Sequence, residues 1–147
     1  MIQREPIYQG TFLWLKDRVP GLLKASRRPA LWTEVPRESQ PALFLVAGDM
    51  VPTNDPSGVP TMWRLQAEVV LYAHSTDPDL PPSALLNPLI DAVEQALRPE
   101  IPGTDQTLGG LVKRAWISGA IETSGDRLGD QGVAFIPLEL LVIQEEP

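Results

Sequence analysis

Apolar residues recur along this chain with two different periods, and the places where the period changes mark its elements. From Ile7 to Val19 the spacing is helical: Ile7, Thr11, Trp14 and Leu15 share one face, and Tyr8 and Phe12 widen it. Pro6 suits an early helical position, where a missing N–H costs little, and Pro20-Gly21 ends the segment. Two short apolar runs, "GLLKAS" and "PALFLVAG", read as strands. Between them "RRPALWTEVPRESQ" reads as an irregular connection with a short extended piece at Leu31–Thr33.

"DMVPTNDPSGVP", residues 49–60, has the chemistry of a long projecting loop. Strict alternation follows from Thr61 to His74: Trp63, Leu65, Ala67, Val69, Leu71 and Ala73 line one side, with Arg64, Gln66 and Glu68 on the other. The expected pairing is a hairpin of Leu43–Gly48 with Met62–His74. After "STDPDLPP" the helical period returns in Leu86, Leu89, Ile90, Val93, Ala96 and Leu97. Pro88 leaves two starts open: Asn87 as the cap, or a beginning near Ser83. Pro99 ends the helix. The segments "LVKRAWISGAIE" and "VAFIPLELLVI", joined by a turn-rich link, read as a second hairpin of long strands.

The order α, β, β, β, α, β, β predicts an α+β fold: a mainly antiparallel sheet of about five strands with two helices packed on one face. At 147 residues, 43% hydrophobic, the chain suits a single domain, 1–147, with one core. The final strand departs from this pattern, since Val133, Phe135, Leu141 and Ile143 on one face are as apolar as Ile136, Leu138, Leu140 and Val142 on the other. Either that strand is central and covered twice, or its second face is buried against another subunit.

There is no cysteine, so thiolate chemistry and disulfides do not arise. No apolar run reaches the roughly 18 residues of a membrane span, and "MIQREPIYQG" is too polar for a secretory signal; the expectation is a chain that stays in the cytoplasm of the cell that makes it. The net charge of -7 is unevenly spread. Residues 1–40 hold seven Lys/Arg against four acids, leaving five against fifteen in the remainder, so +3 is followed by -10. A chain whose larger part is this acidic is a poor binder of phosphate backbones; the two unlike halves read either as ordinary solvated surface or as unlike faces that meet between copies.

Candidate chemistry is sparse. His74, the sole histidine, lies near Asp77 and Asp79, the arrangement of a general base with an orienting carboxylate. No G-x-S-x-G accompanies it, and a histidine at a strand end usually caps the turn. Asp77 and Asp79, or Asp126 and Asp130, offer oxygens to a metal without matching a calcium loop. "TLGGLVK" lacks the order of a phosphate-binding loop and reads as a tight turn. Trp14, Trp63 and Trp116 lie on element faces and read as packing residues. Trp32 sits beside Arg27, Arg28 and Arg37 in a proline-flanked connection, a composition common at interfaces.

Taken in order, "PALFLVAG", a long loop, "WRLQAEVVLYAH", "LNPLIDAVEQAL", "QTLGGLVKRAWISGAIE" and "GDQGVAFIPLELLV" resemble the tail terminators of long-tailed bacteriophages, or close relatives in the phage neck. The likeness runs from about Pro41 to Val142 and is one of layout and apolar pattern. It implies a structural, non-enzymatic virion protein, made in the bacterial cytoplasm and placed at the junction of tail and neck. Such a subunit forms a ring, usually of six, that caps the tail tube, stops its polymerisation and offers a docking surface to the head connector. Its implied partners are further copies of itself, the tail tube protein and the connector or head-closure protein, with DNA passing through the lumen unbound. No cofactor, metal or catalytic residue is implied. A head-closure or head-to-tail joining protein is the alternative, and a small hydrolase using His74 with Asp77 or Asp79 is the alternative of a different class. Candidate contact residues are Arg27, Arg28 and Trp32, the loop residues Asp49, Met50, Val51 and Asp55, and Leu138, Leu140 and Val142 of the final strand.

Overall fold

A computed structural model of the protein describes residues 2–31, 33–53, 61–124 and 129–144. Helix α1 spans Arg4–Arg18, with Glu5 in its first turn and Lys16 and Arg18 in its last, charges that oppose the helix dipole favourably. The strands follow as β1 (Lys24–Ser26), β2 (Ala42–Pro52) and β3 (Thr61–His74). Helix α2 (Ser83–Ala96) precedes β4 (Arg114–Ile117), β5 (Glu122–Ser124) and β6 (Gln131–Gln144). Of the two starts left open by Pro88, the structure takes the earlier: α2 begins at Ser83 and carries Pro88 inside.

All six strands join one sheet in the order β1-β2-β3-β6-β4, with β5 also pairing β6. Among the described residues only β1–β2 is parallel. The fold is therefore α+β and mainly antiparallel, as the pattern predicted. The segment expected as one strand, 111–122, is broken in two because Pro137 stands opposite the break. Ser118 N–H still donates to Pro137 O at 3.0 Å, so residue 137 turns its backbone groups to this side, where proline has no N–H to offer. Residues 118–121 leave the ladder and β5 resumes at Glu122↔Phe135.

Both helices pack on the front of the sheet. Ile7, Tyr8, Phe12 and Leu15 of α1 and Leu86, Leu89 and Val93 of α2 share a buried cluster with Leu43, Leu45, Leu65, Val69, Leu71 and Ile136. Trp14 Nε1 donates to Ala96 O at 2.9 Å, fastening α1 to the end of α2, and Tyr8 Oη donates to Gln66 O at 3.0 Å. Leu138, Leu140 and Val142 belong to this cluster, at 1%, 0% and 7% exposure. They are not available as a contact surface: β6 is an interior strand, and this face of it is what the helices cover.

The back of the sheet is covered over one half only. Residues 27–31 and 33–40 lie over it, burying Val35 with Ala42, Phe44, Val70 and Tyr72. Tyr72 Oη donates to Ala30 O at 2.9 Å, and the Phe44 and Tyr72 rings meet edge to face, 5.8 Å between centroids. No strand forms at Leu31 or Thr33, and Trp32 lies outside the described residues.

The loop expected over 49–60 starts later than its composition suggested. β2 continues to Pro52 through a bulge, with Ala47 opposite Ala67 but Met50 opposite Leu65, so Gly48 and Asp49 together face Gln66. Glycine fits here because a Cβ at residue 48 would stand 3.2 Å from Gln66 O. The extra residue turns Met50 to the front and Val51 to the back. Asp55 and the rest of 54–60 lie outside the described residues.

Candidate functional site

The uncovered half of the sheet's back is a surface with a definite chemistry. Register places Val51, Arg64, Leu141 and Arg114 in one row across β2, β3, β6 and β4. The next row holds Gln66, Glu139 and Trp116, and on the other side Met62 pairs with Ile143. Two guanidinium groups thus flank a partly buried leucine, with Trp116 and Ile143 beside it.

Both arginines are loosely held. Arg64 stands 3.9 Å from Glu139 and Arg114 3.8 Å from Asp105, and both guanidinium side chains are about half exposed. Pairs of this length in contact with water contribute roughly 0–1 kcal/mol, so a partner could redirect either arginine at little cost. Arg114 also lies over the Trp116 ring at 4.7 Å, holding the indole against the sheet. Glu139 is the opposite case: its carboxylate is nearly sealed, with Arg64 as its nearest cation.

A second apolar patch sits at the end of the sheet where β2 and β3 run past the bulge. Met50 is exposed there on the front, and Arg4 of α1 reaches it, its Nε 3.1 Å from Met50 Sδ and its guanidinium 4.6 Å from the Trp63 ring centroid. Met50 and Val51, singled out from sequence, are accessible, and Asp49 is exposed at the bulge. Arg27 is committed within the chain. Its guanidinium meets Glu5 at 2.5 Å and Gln9 at 3.4 Å and lies 5.8 Å from the Tyr8 ring, tying the start of the 27–40 segment to α1. Arg28 remains exposed, with its N–H on Ser26 Oγ.

The acidic residues that follow His74 are engaged in their own turn. Asp77 Oδ1 accepts the Asp79 N–H at 2.9 Å, and Ser75 Oγ donates to Asp77 O at 3.0 Å, so this acidic stretch satisfies its own turn. His74 Nδ1 is buried without a hydrogen-bond partner among the described residues, as is Gln40 Oε1. The two belong to one neighbourhood, since Gln40 Nε2 donates to Gln131 Oε1 and Gln131 is the β6 partner of His74. Among the described residues no group of three or more His, Asp or Glu side chains is placed to hold a metal ion. No helix of the described residues is long and apolar enough to cross a membrane.

Two phenols are tuned by their surroundings. Burial raises the Tyr8 pKa above its ordinary 10.0, against the pull of Arg4 and Arg27. Burial also raises that of Tyr72, and the charge of Glu34 adds to it.

Sequence reasoning singled out Met50 and Val51 but missed Arg64, Arg114 and Trp116. The signal was present in the charged positions of the β3 alternation and in the second apolar face of the last strand. What was missing was the strand order, which sets Arg64 and Arg114 on either side of Leu141. Fold and surface together define an α+β arrangement whose sheet carries both helices on the front and is covered over half of the back. Neither a scan against protein-family models nor a search of curated proteins finds a match for this chain.

Proposed function

We propose that the protein is a structural ring subunit of the tail-terminator type, which caps a phage tail tube, halts its growth and presents a docking surface to the head connector. The observation that carries the reading is the open half of the sheet's back, where Arg64, Leu141, Arg114 and Trp116 form an apolar surface edged by loosely paired charge. Surfaces of this kind, aromatic and arginine-bearing, suit contacts with other chains. The order of apolar segments from Pro41 to Val142 supports the same reading through its resemblance to terminators. So does the split of charge between residues 1–40 and the remainder, since a ring needs two unlike surfaces that complement each other.

The test is light scattering over a range of concentrations with negative-stain images of each peak, joined to tail assembly with and without the protein. A closed ring of one size, and overlong tubes in its absence, are the expected results. Tails of normal length that fail to join heads would instead identify a head-to-tail joining protein. An activity lost in His74→Ala while folding and assembly persist would overturn the structural reading in favour of a hydrolase.

A further inference from the structure

The sheet ends in two short open edges of opposite charge. β1 pairs only with β2 and β5 only with β6, so each leaves one side unpaired among the described residues. Leu23 turns its N–H inward to Pro41 O at 2.9 Å. The alternation of backbone groups along a strand then turns those of Lys24 outward. Lys24 is exposed on the β1 edge, and Glu122 is exposed on the β5 edge.

We propose that β1 of one copy adds to β5 of the next, carrying the sheet across the subunit boundary with Lys24 beside Glu122. This rests on the ring-subunit reading and names the contact that would make the ring. Strand polarity favours the pairing. β1 runs parallel to β2, β2 and β6 both run antiparallel to β3, and β5 runs antiparallel to β6; β1 and β5 therefore point in opposite directions within one chain. Neighbours in a closed ring are related by rotation about a single axis, which preserves a strand's polarity along that axis. The two edges then meet antiparallel, the better-bonded arrangement.

The faces agree as well. Lys24 and Ser26 lie opposite Ala42 and Phe44, on the back of the sheet, and Glu122 and Ser124 lie opposite Phe135 and Val133, on the same back. In a continuous sheet Lys24 and Glu122 come out on one side, within reach as direct or diagonal neighbours. Short edges bearing charge usually discourage strand addition. Here the charges discriminate: two β1 edges repel through Lys24, two β5 edges repel through Glu122, and only the unlike pairing attracts. The contact is thus head to tail, the kind that closes rings.

The experiment measures the concentration at which half the protein is assembled for wild type, Lys24→Glu, Glu122→Lys and the double reversal. Lys24→Pro, which removes an outward N–H without touching the β1–β2 bonds, serves as a fifth protein. Each single reversal should raise that concentration about five-fold or more, the double reversal should restore it to within about two-fold, and the proline should weaken assembly comparably. Urea midpoints identify any variant that fails to fold. A wild-type ring that ignores all of these changes overturns the edge contact and leaves the ring-subunit reading standing. A wild-type chain that is monomeric at every concentration overturns both.

Discussion

Adjacent leucines of β6 should respond to the same change in opposite ways. Leu140 points to the front, 0% exposed among the helices, whereas Leu141 points to the open back between Arg64 and Arg114. Leu140→Ala loses a side chain's transfer energy and leaves a cavity that an interior strand cannot collapse, a cost of about 3 kcal/mol. In a domain of this size each kcal/mol shifts the melting temperature by roughly 2–4 °C, so the expected fall is about 6–12 °C. Leu141→Ala should cost under about 1 kcal/mol, because its side chain is already partly in water. Urea denaturation with a common slope gives the stabilities, and light scattering on the folded proteins gives assembly. Leu141→Ala should weaken assembly, while folded Leu140→Ala should assemble as wild type. Equal stabilities, or the reverse order, would refute the assignment of faces to β6 and with it the candidate surface.

Gly132→Ala should destabilise by about 1–3 kcal/mol, because a Cβ there stands 2.9 Å from Pro82 Cβ and from Leu86 Cδ1 and 3.3 Å from Ser124 O. Gly10→Ala meets only the side chain of Leu111, which can rotate away, so its cost should be clearly smaller once the helical gain of alanine is added; calorimetry compares the two. Trp14→Phe removes the indole donor to Ala96 O and should cost about 1 kcal/mol, visible as a lower thermal midpoint. Tyr8 and Tyr72 keep their protons longer in the folded chain than in the unfolded one. Stability should be complete below the ordinary tyrosine value of 10.0 and fall as pH rises above it through the raised folded values. Urea midpoints across the alkaline range test this, with Tyr8→Phe and Tyr72→Phe expected to flatten the decline and an unchanged slope counting against it.

Much of the fold was legible because it depends on local period. The stripe of Ile7, Thr11 and Leu15, the alternation from Trp63 to Ala73 and the spacing of Leu86, Leu89 and Val93 each state which side of an element is buried. The apolar character of both faces of 133–143 also marked the last strand as unusual. Its meaning required the sheet. Period tells that a strand has two greasy faces, but only strand order places β6 inside the sheet, gives Leu138, Leu140 and Val142 to the helices, and leaves Leu141 and Ile143 on the open back.

The sequence by itself determined the class of fold, the element types and the two halves of unlike charge, since these follow from residues a few positions apart. Tertiary structure alone decided what depends on distant partners. The missing N–H of Pro137 divides β4 from β5 because of the strand it faces, and the bulge at Gly48 and Asp49 carries β2 into the expected loop because of its register with Gln66. It also brought Arg64 and Arg114, fifty residues apart in sequence, to either side of one leucine. Side-chain period is fixed by backbone geometry, but the neighbour across a strand is fixed by which chain segments pair, and that choice is made by the whole core.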